Sequence, residues 1–240
     1  MHRALRLVSF TLLATAAACG SDSSGPTAGF ECLGQALPTT APPSIIVTGQ
    51  TKGNVLTPNA LSNVEVLVSR TGADTIGADT SNTPGFYSIT VATGGTPVNG
   101  YLQLKKSGYI TTYAYPAVPL AGDATENVLM VTPTEFSVLA QAAGITPTPG
   151  AGFIGVVVKN CAGTPIQGAT VSSTPGGTVL YNVAGVPNSQ AAATAADGVA
   201  YIANVTAGNV TVKSTASGHT LRQHVVNARG DAITLTEIQP

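Results

Sequence analysis

Apolar and polar residues alternate in short runs over most of this chain, with a period of two. Val64-Glu65-Val66-Leu67-Val68-Ser69 puts three valines on one face. Tyr101-Leu102-Gln103-Leu104-Lys105 points Leu102 and Leu104 one way, and Val210 and Val212 oppose Asn209, Thr211 and Lys213. Successive side chains of a strand point to opposite sides, so this period predicts strands with one buried face. Ser44–Thr48, Phe86–Val91, Gly108–Tyr115, Glu126–Val131 and Phe153–Val158 read as further strands. Turn residues separate them: Pro84-Gly85, Gly94-Gly95-Thr96-Pro97, and Asp197-Gly198, which reads as a type I′ hairpin turn. Short runs punctuated by Gly and Pro predict β-sandwiches.

The rhythm breaks in one internal stretch. Phe136, Leu139, Ala140 and Ala143 recur at i, i+3, i+4 and i+7, one face of a helix. Thr134 suits the N-cap, and Gly144 suits the left-handed position that ends a helix. Pro147 and Pro149 then forbid continuation. The N-terminus breaks it too. Residues 1–18 read as a signal peptide, with Arg3 and Arg6 ahead of a short apolar core and Ala16-Ala17-Ala18 as a processing site. Residues 19–43 lack periodicity, end in Pro42-Pro43, and read as a flexible linker.

The expected architecture is therefore all-β: two tandem small antiparallel β-sandwiches joined by a short helix, after a signal peptide and a flexible linker. The first sandwich takes 44–131, the helical connector 132–150 and the second sandwich 151–240. The halves share anchors, since Ser217-Gly218-His219 matches Ser107-Gly108-Tyr109, Gly198 matches Gly85 and Val171 matches Val66. An internal duplication accounts for this.

Two resemblances add to that reading. Ala16-Ala17-Ala18-Cys19 resembles the bacterial lipobox, with Ala16 standing where that motif more often has Leu. The resemblance implies acylation of Cys19 and attachment to a membrane through lipid; an ordinary cleaved signal with an incidental thiol is the alternative. Gly163-Thr164-Pro165-Ile166-Gln167-Gly168-Ala169-Thr170-Val171, then Asp197-Gly198, Ala207-Gly208-Asn209-Val210-Thr211-Val212 and Ser217-Gly218-His219, resembles the carboxypeptidase regulatory-like domain. That family has a transthyretin-like (prealbumin-like) sandwich, and its glycines hold turns. The resemblance is strong over 151–230 and fainter over 44–115. It implies an accessory or surface-display role, with a protein or glycan partner that the sequence does not name. The lipobox resemblance, with Gly20 after Cys19, implies the cell envelope, at an outer membrane or cell surface.

Composition narrows the chemistry. Only 9% of residues are charged, and net charge is near neutral without basic runs, which argues against a nucleic-acid partner. Loss of Arg3 and Arg6 with the signal leaves a mildly acidic protein, so attachment would rest on lipid alone. Gly150-Ala151-Gly152-Phe153-Ile154-Gly155 formally fits GxGxxG, but prolines precede it and a strand follows, so no dinucleotide cofactor is expected. No HExxH or paired CxxC points to zinc, and no Gly-x-Ser-x-Gly elbow to a hydrolase. His219 and His224 read as surface histidines and Asp197 as a turn residue. No catalytic residue, metal or cofactor is assigned, and the chain is read as non-enzymatic.

Cys32 and Cys161 remain once Cys19 is set aside. An oxidising compartment makes a disulfide between them plausible, against the alternative of two free buried thiols. Tyr109, Tyr113 and Tyr115 share strand parity, and on an exposed face their rings could stack on sugars. A carbohydrate-binding module is thus the second functional reading, beside the plainer one in which these rings are core.

Overall fold

The computed structural model describes residues 27–72 and 74–240. The expected signal peptide and Cys19 lie outside the described residues. Among the described residues, 46% lie in strands and one short helix is present, so the fold is all-β.

The first half builds β1 (Ser44–Gly53), β2 (Asn59–Ala60), β3 (Glu65–Arg70), β4 (Thr75–Thr80), β5 (Phe86–Ala92), β6 (Gly100–Lys105), β7 (Thr112–Tyr115), β8 (Ala124–Thr125) and β9 (Val128–Leu129). Helix α1 (Pro133–Ala142) follows. The second half builds β10 (Gly152–Val158), β11 (Thr170–Thr174), β12 (Thr178–Val183), β13 (Val186–Asn188), β14 (Val199–Val205), β15 (Gly208–Ala216), β16 (His219–Thr220), β17 (His224–Ala228) and β18 (Ile233–Ile238).

Each half is a sandwich, and the pairing is repeated. β1 runs antiparallel to β5 and parallel to β9; β10 runs antiparallel to β14 and parallel to β18. On the facing sheets β3 pairs with β6 and β6 with β7, as β11 pairs with β15 and β15 with β17. Ile45, Val66, Ile89 and Leu104 meet in the first core, and Ile154, Ile202, Val212 and Val226 in the second. Removal of such side chains from water is the main force holding each sandwich.

The duplication reaches single hydrogen bonds. The buried Ser81 hydroxyl donates to the Leu61 carbonyl at 2.9 Å and accepts from the Val64 amide at 3.0 Å. The buried Thr194 hydroxyl donates to the Ile166 carbonyl at 2.6 Å and accepts from the Ala169 amide at 2.9 Å. Gly85 and Gly198, at φ 92° and 67°, then enter β5 and β14. Asp197 does not take a positive φ, so Asp197-Gly198 is not the expected type I′ turn: it leads from a loop into β14, whose partners are β12 and β10. Two-residue turns at positive φ are instead Ala184-Gly185, joining β12 to β13, and Ser217-Gly218, joining β15 to β16.

The two sandwiches also share backbone. β18 is parallel to β10 on one side and to β7 on the other, with Ile233 opposite Thr112 and Thr236 opposite Tyr115. One nine-stranded sheet therefore runs through both halves, from β13 at one edge to β4 at the other. β7 lies in its interior, and all four of its residues are buried.

The segment ahead of β1, expected to be a flexible linker, is held down over its described part. Phe30 is 5% exposed in the second core and stacks on His219 at 4.7 Å. The Arg222 guanidinium donates to the Gln35 carbonyl at 2.8 Å. Farther along, the Ala41 amide donates to the Gly95 carbonyl and the Thr93 amide to the Pro43 carbonyl. The segment straps the second sandwich to the first, because its few apolar and backbone groups find partners on both.

Helix α1 begins two residues before the expected start. Thr132 is the N-cap: its hydroxyl accepts from the Glu135 amide at 3.2 Å, and the Glu135 carboxylate accepts from the Thr132 amide at 2.9 Å. This reciprocal box satisfies two free helix-end donors, and Pro133 fits the first turn where no amide is needed. Gly144, at φ 72°, follows the C-cap.

Candidate functional site

In β10 the alternation fails, since Phe153-Ile154-Gly155-Val156-Val157-Val158 is apolar on both faces. Ile154, Val156 and Val158 fill the core, so Phe153 and Val157 make the outer face of the sheet apolar as well. Tyr201 on β14 and Leu235 on β18 extend it. Apolar area on an outer face calls for a cover, and α1 provides part of one. Phe136 meets Phe153 edge-on at 5.2 Å, and Ala143 packs with Leu180 and Ala203.

The cover is incomplete. Between α1, the outer face of β14-β10-β18 and the β9 end of the first sandwich lies a cleft of about 660 Å³. Phe136 and Leu139 form one wall, Leu129, Val131 and Ile110 another, and Gly155 lies in the floor. A Cβ on Gly155 would stand 3.0 Å from the Leu235 side chain, so glycine keeps the floor open there. Size and apolar lining both fall in the range of small-molecule sites.

Such sites carry few polar groups, and here the charged ones are Glu126, Glu237 and Asp231, with Asn127, Thr148, Asn204 and Thr236 also on the lining. Glu126 sits between β8 and β9. Its amide donates to the Thr48 carbonyl at 2.8 Å and its carbonyl accepts from the Tyr87 hydroxyl at 2.6 Å. Gly49 makes this approach feasible, since a Cβ there would stand 1.8 Å from the Glu126 carbonyl oxygen. The backbone is thus pinned, while the carboxylate has no hydrogen-bond donor among the described residues. Burial, reinforced by the Glu237 carboxylate and opposed by the Lys159 ammonium, lifts Glu126 to about 7. Glu237 is ion-paired with Lys159. Burial, with the nearby Glu126, also raises the Tyr87 phenol. The arrangement is an apolar cleft with a carboxylate at one end that lacks a countercharge of its own.

The sequence-assigned residues fall elsewhere. Cys32 and Cys161 are brought together, with an S–S distance of 2.08 Å and a Cα–Cα distance of 5.7 Å, and the pair joins the strap to the second sandwich. Tyr109, Tyr113 and Tyr115 do not form an exposed face. β7 begins only at Thr112, so Tyr109 lies in the preceding turn against the first core. Tyr113 and Tyr115 are 8% and 5% exposed, because β18 covers the strand edge and the second sandwich covers the rings. The Arg229 guanidinium lies 3.7 Å from the Tyr113 ring centre and donates to the Tyr115 hydroxyl at 3.1 Å. These rings clamp the two sandwiches and offer no flat surface to a sugar.

The histidines are structural rather than free on the surface. His219 shares a 3.1 Å hydrogen bond with Thr27, and His224 shares one of 2.7 Å with Thr236 while packing edge-on to Tyr115. Among the described residues no group of three or more His, Cys, Asp or Glu side chains could hold a metal ion.

The cleft escaped the sequence reading. Its one legible signal is the unbroken apolar run of β10, which marks a strand buried on both faces. Glu126 gave none, because its partners come from β1, β5 and the far end of the chain.

No family model matches the chain, and no curated protein matches it. Among solved structures, the shaft pilin SpaA from Lactobacillus rhamnosus GG is similar at 11% identity and TM-score 0.26, covering 82% of this chain and 98% of that one. A variant of the major pilin subunit of Bacillus cereus is similar at 9% identity and TM-score 0.29, covering 81% and 99%. The Bacillus anthracis TIE protein is similar at 13% identity and TM-score 0.26, and this chain spans 33% of its length. Overlays this loose transfer neither a fold nor a role, and the all-β sandwich architecture rests on the strands of this chain.

Proposed function

We propose that the chain is a non-enzymatic protein of the cell envelope, at an outer membrane or cell surface, anchored by lipid on Cys19 and acting through a bound partner. The observation that carries the reading is the rigid presentation of an apolar cleft: one sheet runs through both sandwiches, and a disulfide-pinned strap crosses them outside it. A disulfide suits an exported protein, because oxidising compartments preserve such bonds. The lipobox-like Ala16-Ala17-Ala18-Cys19 supports a lipid anchor, and the diacyl or triacyl group it implies would supply the two hydrophobic signals that stable attachment needs.

The test compares the natural protein with Cys19→Ala in cells fed a labelled fatty acid. The natural chain takes up label and sediments with membranes, whereas the variant takes up none and fractionates as soluble. A variant that stays equally membrane-bound overturns the anchor.

A further inference from the structure

We infer that the cleft between α1 and the outer sheet face binds an amphipathic cation, an apolar body carrying one protonated amine, with Glu126 as its counter-ion. The inference rests on the reading of the chain as a binding protein and assigns that site its ligand class. Phe136, Phe153, Val157, Tyr201 and Leu235 offer apolar walls within a space of about 660 Å³. That volume suits a small molecule more than a protein surface.

The polar end selects the head group. Lys159 is committed to Glu237, which leaves Glu126 as the uncompensated charge of this trio. The Glu126 backbone is fixed by Thr48 and Tyr87, and the residue lines this end of the cleft. A half-buried carboxylate without a donor is costly, and an ammonium group removes the cost while its apolar body covers the exposed floor. A carboxylate ligand would place like charges together, and a neutral alcohol would gain the apolar contacts alone.

Three probes of equal length separate these cases: n-octylamine, 1-octanol and octanoate, titrated calorimetrically at pH 8 into the full chain carrying Cys19→Ala, which removes the acylation site. The amine is expected to bind about tenfold more tightly than the alcohol, the size of one charge-assisted hydrogen bond, and octanoate more weakly than either. Glu126→Gln is expected to abolish the amine's advantage and bring amine and alcohol to equal affinity. Octanoate binding as well as the amine, an amine preference that survives Glu126→Gln, or no binding by any probe to the folded protein overturns the inference. If Glu126→Gln does not fold, the three probes on the parent chain still decide. A failed anchor appears only in the fractionation of Cys19→Ala, and a failed ligand class only in these titrations.

Discussion

Glu126 shows how strongly one position can depend on distant parts of the chain. Its carboxyl is lifted to about 7 by burial and by Glu237, against the pull of Lys159, with the Tyr87 phenol close by. A group that holds its proton more tightly in the fold than in the unfolded chain adds stability at low pH, and that stability is lost as pH rises. For Glu126 the loss runs from the ordinary value of 4.5 up to about 7. Glu126→Gln abolishes this loss, so the variant should match the natural protein near pH 4.5 and exceed it by about 1–3 kcal/mol at pH 8. Melting curves at both pH values measure it; equal differences at the two would contradict the assignment. Nothing in Thr125-Glu126-Asn127 announces this behaviour, because the groups responsible are supplied by tertiary pairing. Tyr113 and Tyr115 make the converse point: their alternation was legible, but which side of β7 would be open was decided by β18, more than a hundred residues away.

At the scale of elements, α1 controls how much of the outer sheet face is covered. Its hydrophobic face was readable at i, i+3, i+4 and i+7, while its start was not, because Thr132 and Thr134 are both acceptable caps. The choice falls to Thr132, where Pro133 and Glu135 complete the box, and Glu135 also accepts from the Val55 amide at 3.3 Å. Thr132→Ala should cost about 1 kcal/mol, a drop of a few degrees in melting temperature for a chain of this size. A melting temperature unchanged by the substitution would show that the cap does not hold the helix. Strands with a clear apolar face, such as β3, β6 and β15, were legible from their period alone. β4 was not, because Thr75-Ile76-Gly77-Ala78-Asp79-Thr80 has a single large apolar residue and is a strand through its pairing with β3.

At the scale of the molecule, tandem sandwiches could be read from repeated anchors, but their fusion could not, since a strand's pattern does not name its neighbours. Beside the clamp of Tyr113, Tyr115 and Arg229, two further devices hold the halves together. The Cys32–Cys161 bond closes a separation of 129 residues, and removing it with Cys32→Ser and Cys161→Ser should cost about 4–5 kcal/mol on the chain-entropy account. Denaturant titration of the oxidised and doubly substituted proteins measures that difference, and coincident midpoints would deny the bond a role in stability. The second device is the parallel pairing of β18 with β7, which joins both walls of the cleft through one sheet and so underlies the proposed binding role. Hydrogen exchange resolved at β7 and β18 tests it most directly. Amides that donate between Thr112–Tyr115 and Ile233–Thr236 should be protected as strongly as those between β10 and β14, because all belong to one sheet. Rapid exchange along β7 while β10 and β14 stay protected would show two independent sandwiches and contradict the account.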